Sequence, residues 1–249
     1  IVLAHGAGAM NFPLGPKAGV TDSASVVESL KECQKLVADA KNILVVGGGP
    51  VGCEYVGEIL AAHPDKKVTL VHSADTLCNN STPKLIPAAT AKLLAKLQKL
   101  GVDVKLGVKV TDSGASATGN CFVPAPKEYT LSDLSKVNTD LLIMCVGGAK
   151  RDAPLLAAEF LDERGAVKVD ANLQVEGLEG VFCVGDANNH PETKLAYTGD
   201  NQAKHMVGNM QAHAAGGAAK MKPYKGLEKD QYGAMFVPLG PSVGVGAVD

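Results

Sequence analysis

Tryptophan is missing, and aromatic residues make up only 4% of the 249 positions. A chain this poor in aromatics suits an α/β protein with many tight turns better than an all-β one, whose strands favour such side chains. Charge of one sign is also lacking: 24 Lys and Arg face 26 Asp and Glu, for a net charge of −2. That balance gives no electrostatic case for a nucleic-acid partner. No apolar run approaches the roughly 20 residues that a membrane-spanning helix needs; Leu141 to Val146 is among the longest. Cysteines stand at 33, 53, 78, 121, 145 and 183, never as a CxxC pair. They read as free thiols of a reducing compartment, with Cys145 and Cys183 packed in strands, rather than as a disulfide frame or zinc site. The histidines are scattered. His205 and His213 can share a helix face, but no carboxylate-rich motif surrounds them, so no metal site is expected. The first residue, Ile1, lies inside an apolar stretch, so no secretory or transit segment is readable. The expectation is a piece of a longer chain, intracellular, in the cytoplasm or an organelle.

What is abundant is glycine, 28 residues, in a chain that is 46% hydrophobic. "IVLAHGAG" reads as a strand end and a glycine turn, and residues 10–20 as a loop punctuated by Pro13, Gly15 and Pro16. Thr21 or Asp22 then caps a helix carrying Val26, Val27, Leu30, Leu36 and Val37 at helical spacing. Ile43–Val46 is a buried strand, Pro50 opens a helix towards Ala62, and Val68–Val71 is the next strand. A helix near Pro87–Leu100 ends at Gly101, and "VDVKLGVKV" alternates as a strand. Thr111–Val137 is turn-rich and reads as a small antiparallel excursion. "TDLLIMCVGG" and "GVFCVGDANN" are buried strands, the second ending on an exposed Asp186. "GAVKVDANLQV" reads as two strands about a turn at 170–172, and a helix runs from about Tyr197 to Ala215.

The most informative stretch is "NILVVGGGPVGCEYVGEI". Gly47, Gly49 and Gly52 fit G-x-G-x-x-G, after a strand, opening a helix, with a second strand at the right distance. In that setting Gly47 permits the tight turn, Gly49 lets the backbone approach a pyrophosphate, and Gly52 lets helix and strand pack closely. Gly48, Pro50 and Val51 complete the turn, whose free amides and positive helix end suit a dinucleotide. The second strand ends in His72 and Ser73, with neither the carboxylate that favours NAD nor the Arg that clamps a 2′-phosphate. His72 is the residue expected at the adenosine ribose, in a site that discriminates poorly between NADH and NADPH.

Taken in this order, the glycine turn, "TDLLIMCVGG" and "GVFCVGDANN" resemble the pyridine nucleotide–disulfide oxidoreductase superfamily. "KVTLVHS", "ETKLAYTGDNQAKHMVGNM" and "VPLGPSVGVG" are similar to its branch of ferroptosis suppressor and apoptosis-inducing-factor-like mitochondrion-associated proteins. The resemblance implies a two-dinucleotide α/β fold, Rossmann-like, with an NAD(P)H domain inserted in an FAD domain that is incomplete here. Residues 1–23 and 150–222 would be FAD-domain segments, 24–149 the NAD(P)H domain, and 223–249 the start of a C-terminal interface domain. "IVLAHGAG" resembles the A-T-G strand end before the insertion, with His5 in the place of Thr and Gly6 among the flavin-binding residues. The flavin's own glycine loop would then lie upstream of Ile1.

The activity implied is transfer of electrons from NAD(P)H through FAD to a quinone-type acceptor, with peripheral membrane contact through a C-terminal part beyond this chain. Other acceptors of the superfamily, monodehydroascorbate or a ferredoxin, stay open, as does a non-catalytic nucleotide-binding subunit without flavin. By resemblance Asp186 holds the ribityl chain, with Gly185 among the cofactor-binding residues. Lys194, Leu195, Ala196 and Tyr197 open a helix whose positive end lies near the flavin's pyrimidine edge. Glu54, in the first turn after the glycines, matches a glutamate near the flavin and nicotinamide and is, with Lys194, a candidate catalytic residue. Val146 and Gly147 should face the nicotinamide.

Overall fold

The computed structural model describes residues 1–7, 22–79, 84–111, 121–146, 156–226 and 235–247. In chain order its elements are β1 (Val2–Leu3), α1 (Ser23–Asp39), β2 (Asn42–Val46), α2 (Pro50–Ala62), β3 (Lys67–Val71), α3 (Pro87–Lys99), β4 (Asp103–Lys105), β5 (Phe122–Thr130), β6 (Lys136–Met144), β7 (Phe182–Cys183), α4 (Ala196–Gly216), β8 (Met235–Pro238) and β9 (Gly244–Ala247). They fall into two units: Asn11–Gly147 with Tyr232–Asp249, and Ile1–Met10 with Gly148–Gln231.

The larger unit is built on a five-stranded sheet in the order β4-β3-β2-β6-β5. The first four strands are parallel and β5 is antiparallel to β6. A parallel strand with both faces covered reads as an unbroken apolar run, which is what "ILVV" is. Ile43 and Val45 face the α2–α3 side, packed with Cys53, Val56, Leu93 and Leu97. Leu44 faces the other way, with Val71, Leu131 and Leu142. The strand order reverses at β2, which has β3 on one side and β6 on the other. This is the Rossmann-like α/β arrangement, and its crevice opens at the carboxyl ends of β2 and β6.

The helices start where the chain provides caps. Asp22 caps α1, its carboxylate accepting from the Ser25 N–H at 2.8 Å, and that bond holds its pKa below the usual carboxylate range. Thr21 lies outside the described residues. Pro50 and Pro87 open α2 and α3, where a missing N–H leaves no bond unmade. Leu100 is the last cap of α3, and Gly101 follows it at φ +86°, a conformation that favours glycine.

Two strand expectations differ from the structure. "VDVKLGVKV" contributes only Asp103–Lys105, because Gly107 turns at φ +70° and its N–H bonds to the Ala74 carbonyl rather than to a ladder. "GAVKVDANLQV" forms single bridges, Leu161 to Val167 and Val169 to Val175, rather than two strands. Asp170 accepts the amides of Asn172 and Gln174 and curls the chain before a ladder can extend. The excursion after Thr111 holds β5, a nine-residue strand containing Pro124 and Pro126. Prolines are tolerated there because β5 is an edge, and a bulge falls between Pro124 and Lys127.

Strands β8 and β9 form an antiparallel hairpin within the segment set apart above as 223–249. Its Val237, Leu239, Val245 and Ala247 are buried in the core shared with α2 and α3. Burying Val237 and Leu239 contributes about 1.5–3 kcal/mol each. Gly57 on α2 permits the approach, since a Cβ there would overlap the Leu239 backbone.

In the smaller unit β1 and β7 pair in parallel, Val2 with Phe182 and Leu3 with Cys183. Leu173, Phe182, Val184 and Met206 of α4 form one core and Leu3, Val167 and Cys183 another. Among the described residues no helix is long and apolar enough to cross a membrane.

Candidate functional site

The turn Gly47–Gly52 sits at the carboxyl end of β2, at the point where strand order reverses. Each glycine has its own reason. Gly47 adopts φ +113°, and a Cβ there would overlap the Cys145 carbonyl. A Cβ on Gly52 would overlap the Gly47 carbonyl oxygen, so the helix could not lie this close to the turn. A Cβ on Gly49, by contrast, would meet nothing within 4 Å. The one roomy glycine is the one that a ligand would approach.

The backbone amides divide in the same way. Gly47 N–H donates to the Val71 carbonyl at 2.8 Å and Gly48 N–H to His72 Nδ1 at 3.1 Å. Among the described residues, no hydrogen bond takes up the amides of Gly49, Val51 and Gly52, which stand at the positive start of α2. Gly52 is buried, so the half-buried Gly49 and Val51 carry the donors of the open face, the arrangement that binds phosphate at helix starts.

The turn brings Val146 close: its backbone nitrogen lies 3.2 Å from where a Gly47 Cβ would stand, and the residue is 48% exposed. Gly147 lies outside the described residues. Glu54 is half-buried in α2, and burial first, then Glu58 one turn on, pushes its carboxyl above the usual range. His72 is 8% exposed and turned beneath the glycine turn, with Nε2 3.0 Å from Asn79 Oδ1. Ser73, the next residue, is exposed.

The remaining candidates belong to the smaller unit. Gly6 and Gly185 have φ of +78° and +72°, and a Cβ on either would meet nothing within 4 Å. Asp186 is half-buried in a short 3-10 turn, and among the described residues no partner takes up its carboxylate. This turn is held by polar side chains that sequence reading missed. Gln202, 1% exposed, accepts from the Gly185 N–H at 2.9 Å and from Asn188 Nδ2 at 2.8 Å, and donates to Glu192 Oε2 at 3.0 Å. Asn188 Oδ1 accepts from Lys194 Nζ at 3.0 Å, and the same ammonium donates to the His190 carbonyl. The sequence signal was a stripe of polar residues at 198, 202 and 209 on the buried face of α4. Leu195, Ala196 and Tyr197 are exposed at the start of that helix. The Thr198 hydroxyl secures it, accepting the Leu195 N–H.

The thiols do not form a reactive set. Cys33, Cys53, Cys78, Cys121 and Cys183 are buried. The Cys78 thiol beside it, together with burial, pushes Cys53 far up, and burial pushes Cys145 and Cys183 up to about 12. Protonated thiols are poor nucleophiles. Among the described residues no group of His, Cys, Asp and Glu is placed to hold a metal ion.

Comparison with known proteins agrees with this geometry. A ferredoxin reductase for the CYP199A2 system from Rhodopseudomonas palustris superposes with a TM-score of 0.61 at 20% identity, over 90% of this chain and 53% of that one, which speaks for the fold alone. The chain is 32% identical over 230 residues to the oxidoreductase ptaL of Pestalotiopsis fici, covering 92% of this chain and 56% of that protein. It is 30% identical over 233 residues to ferroptosis suppressor protein 1 of Taeniopygia guttata, covering 92% and 59%. The chain thus spans somewhat over half the length of these relatives. A family model, pyridine nucleotide-disulphide oxidoreductase, matches residues 1–219, and with the glycine turn at the strand-order reversal the chain belongs to that family.

Proposed function

We propose that this chain works in an FAD-dependent oxidoreductase that passes electrons from NAD(P)H to a quinone-type acceptor. FAD and a nicotinamide dinucleotide are the cofactors of the family; the residues present fit the dinucleotide at the glycine turn and part of a flavin site around Asp186 and the start of α4. The observation that carries the reading is the open side of the glycine turn: amides of Gly49 and Val51, unpaired among the described residues, around the one glycine of the turn with room for a ligand. The resemblance to ferroptosis suppressor protein 1 favours the quinone among acceptors. Monodehydroascorbate and ferredoxin are the rival acceptors. Disulfide reduction is disfavoured among the described residues, since five of their thiols are buried and the sixth, Cys145, is half-buried and pushed up to about 12.

When bound, the nicotinamide supplies a hydride and the flavin relays the electron pair to the acceptor. The chain's residues bind, orient and tune. Gly47–Gly52 hold the diphosphate, with Gly49 nearest to it. Val146 and Gly147 shape the nicotinamide pocket. Gly6 and Gly185 help to hold the flavin, and Asp186 holds its sugar-alcohol chain, whose hydroxyls are donors for the Asp186 carboxylate. The start of α4, at Leu195, Ala196 and Tyr197, offers the positive helix end where negative charge grows on reduction. Lys194 adds a cation fixed by Asn188 and the His190 carbonyl. Glu54 places a carboxyl at the edge of the turn, its pKa raised above the usual range by burial and then by Glu58. The bare strand end at His72 and Ser73 leaves NADH and NADPH weakly distinguished.

The test is the protein purified from its own source. A flavin absorption band that NADH bleaches, followed by reoxidation with a short-chain quinone faster than with ferredoxin or monodehydroascorbate, is the expected result. NADH binding without any flavin band would replace the enzyme by a nucleotide-binding subunit. Rapid reoxidation by ferredoxin alone would replace the acceptor.

A further inference from the structure

The glycine turn is braced from below by one short segment, His72–Asn79, whose placement no motif anticipates. Gly48 N–H can only donate, so the His72 Nδ1 that faces it at 3.1 Å is the acceptor. The ring proton is then on Nε2, which donates to Asn79 Oδ1 at 3.0 Å. The Gly48 carbonyl is taken by the Cys78 N–H at 2.9 Å. Cys78 reaches it in a left-handed conformation, φ +54°, which costs a non-glycine residue about 1–2 kcal/mol. Strain of this kind persists where the surroundings over-determine it.

In a trans peptide the N–H and the C=O point in opposite directions. The Gly47–Gly48 peptide turns its N–H inward to His72, so its carbonyl points the other way, towards Gly52. The next peptide turns its carbonyl inward to Cys78, so the Gly49 N–H points outward, on the side that is open around Gly49. Two successive peptides are thus held in alternating orientation by anchors from the same segment. Gly48 is small because the ring fills the space below it: a Cβ there would lie 2.9 Å from His72 Cγ and 2.6 Å from Leu77 Cδ2.

We infer that His72 is a positioning residue for the dinucleotide's diphosphate, acting through the Gly48 amide rather than by touching the ribose. The role rests on the dinucleotide reading of the turn and specifies how that turn is kept ready. A site whose donors are fixed before binding loses no ordering free energy when the ligand arrives. His72 is therefore a determinant of how tightly NADH is held, while Ser73 is left as the exposed residue at the ribose end.

The experiment measures the NADH dissociation constant by fluorescence at mildly alkaline pH, with thermal unfolding alongside. His72→Leu removes the acceptor and raises the constant by about tenfold, the scale of one lost hydrogen bond in a preorganised site. His72→Asn places Oδ1 where Nδ1 stood and stays within about threefold of wild type. Unchanged affinity in His72→Leu, or a loss in His72→Asn as large as that of the leucine variant, overturns the inference. Should His72→Leu fail to fold, nitrogen NMR of the wild-type protein decides. Protonated Nε2 with a bare Nδ1, free and with NADH, is expected, and the opposite tautomer overturns it. Wild-type protein that does not bind NADH overturns the dinucleotide reading and this inference together, whereas tight wild-type binding that His72→Leu leaves unchanged overturns only the role of His72.

Discussion

Two turns end two parallel strands in this molecule, and they are shaped by different forces. At Gly47–Gly52 the backbone is held by crowding: the Cys145 carbonyl, the Gly47 carbonyl and the His72 ring each occupy space that a Cβ would need. At Gly185–Asp186 nothing crowds the glycine, and the turn is held by the buried amides of Gln202 and Asn188. The first turn closes a five-stranded sheet with helices packed against it; the second closes a pair of two-residue strands. A large sheet brings enough backbone together to fix a turn by contact alone. A two-stranded pair does not, and directional hydrogen bonds supply what packing cannot.

The sharpest way to break this contrast is to make the same change in both turns. Gly52→Ala drives a methyl into the Gly47 carbonyl oxygen, and either helix or turn must move. Thermal unfolding should report a loss of about 3 kcal/mol or more, the range of severe backbone and packing disruption. Gly185→Ala meets no atom and carries only the conformational penalty of φ +72°, about 1–2 kcal/mol. Equal losses at the two positions would remove the steric account of the first turn.

Next in size is Gln202→Leu. The leucine fills the space but takes the partner from the Gly185 N–H, from Asn188 Nδ2 and from Glu192 Oε2 at once. Leaving buried polar groups unpaired costs about 1–3 kcal/mol each, so a loss of about 2–4 kcal/mol is expected after relaxation. Gln202→Glu keeps the acceptor for the Gly185 and Asn188 donors but sets a second carboxyl against Glu192. Its stability should recover on acidification, when that pair can share a proton. A leucine variant as stable as wild type would show that the second turn stands without the network.

A smaller effect on the fold, though not on binding, comes from Gly49→Ala. The backbone there is extended at φ −73°, which any residue adopts, and the added methyl meets nothing. Thermal unfolding should report a loss of only about 0.5–1 kcal/mol, the difference between glycine and alanine at a helix N-cap and well below that of Gly52→Ala. NADH affinity should fall by about tenfold or more, because the methyl occupies the space that the diphosphate needs. A fall in stability as large as that of Gly52→Ala, with unchanged affinity, would make Gly49 a structural residue like Gly52.

The same contrast explains what was legible in the sequence. Contact-shaped structure leaves a local mark: G-x-G-x-x-G, the apolar run before it and Pro50 after it are contiguous, and the sheet, its helices and the turn were readable from them. Turn chemistry alone did not reveal that Cys78 adopts a positive φ or that His72 swings under Gly48, because the partner of each lies some 24 or more residues away in the chain. The network at the second turn was hidden for a related reason. Gln202 and Asn188 are ordinary surface residue types, and only the periodicity of α4 marks Gln202 as inward-facing. β5 was obscured by its own prolines, which an edge strand with a bulge accommodates. Asp186 and Lys194 came from family resemblance, since no spacing in the chain itself ties an aspartate after a short strand to a flavin.

The last and smallest effect concerns the carboxylates that the two turns carry. Asp186 stands at the polar turn, half-buried and without a partner among the described residues; Glu54 stands beside the crowded one, where burial raises its carboxyl and Glu58 raises it further. At a pH below the ordinary carboxylate range Glu54 is protonated in both folded and unfolded chains and contributes no pH dependence. As pH rises through the unfolded value and then through the higher folded one, the unfolded chain ionises first and the folded state loses stability relative to it. Above the folded value the penalty is complete. Glu54→Gln should therefore melt higher than wild type near pH 8 and level with it at acid pH, after subtraction of any constant offset. The gain is small because solvent screens a half-exposed group. Glu58→Gln removes only the lesser cause and should recover a smaller part of the same gain. If Glu58→Gln recovers as much as Glu54→Gln, repulsion within α2 rather than burial beside the turn sets the Glu54 carboxyl, and the crowded turn loses its claim to tune the acid next to it.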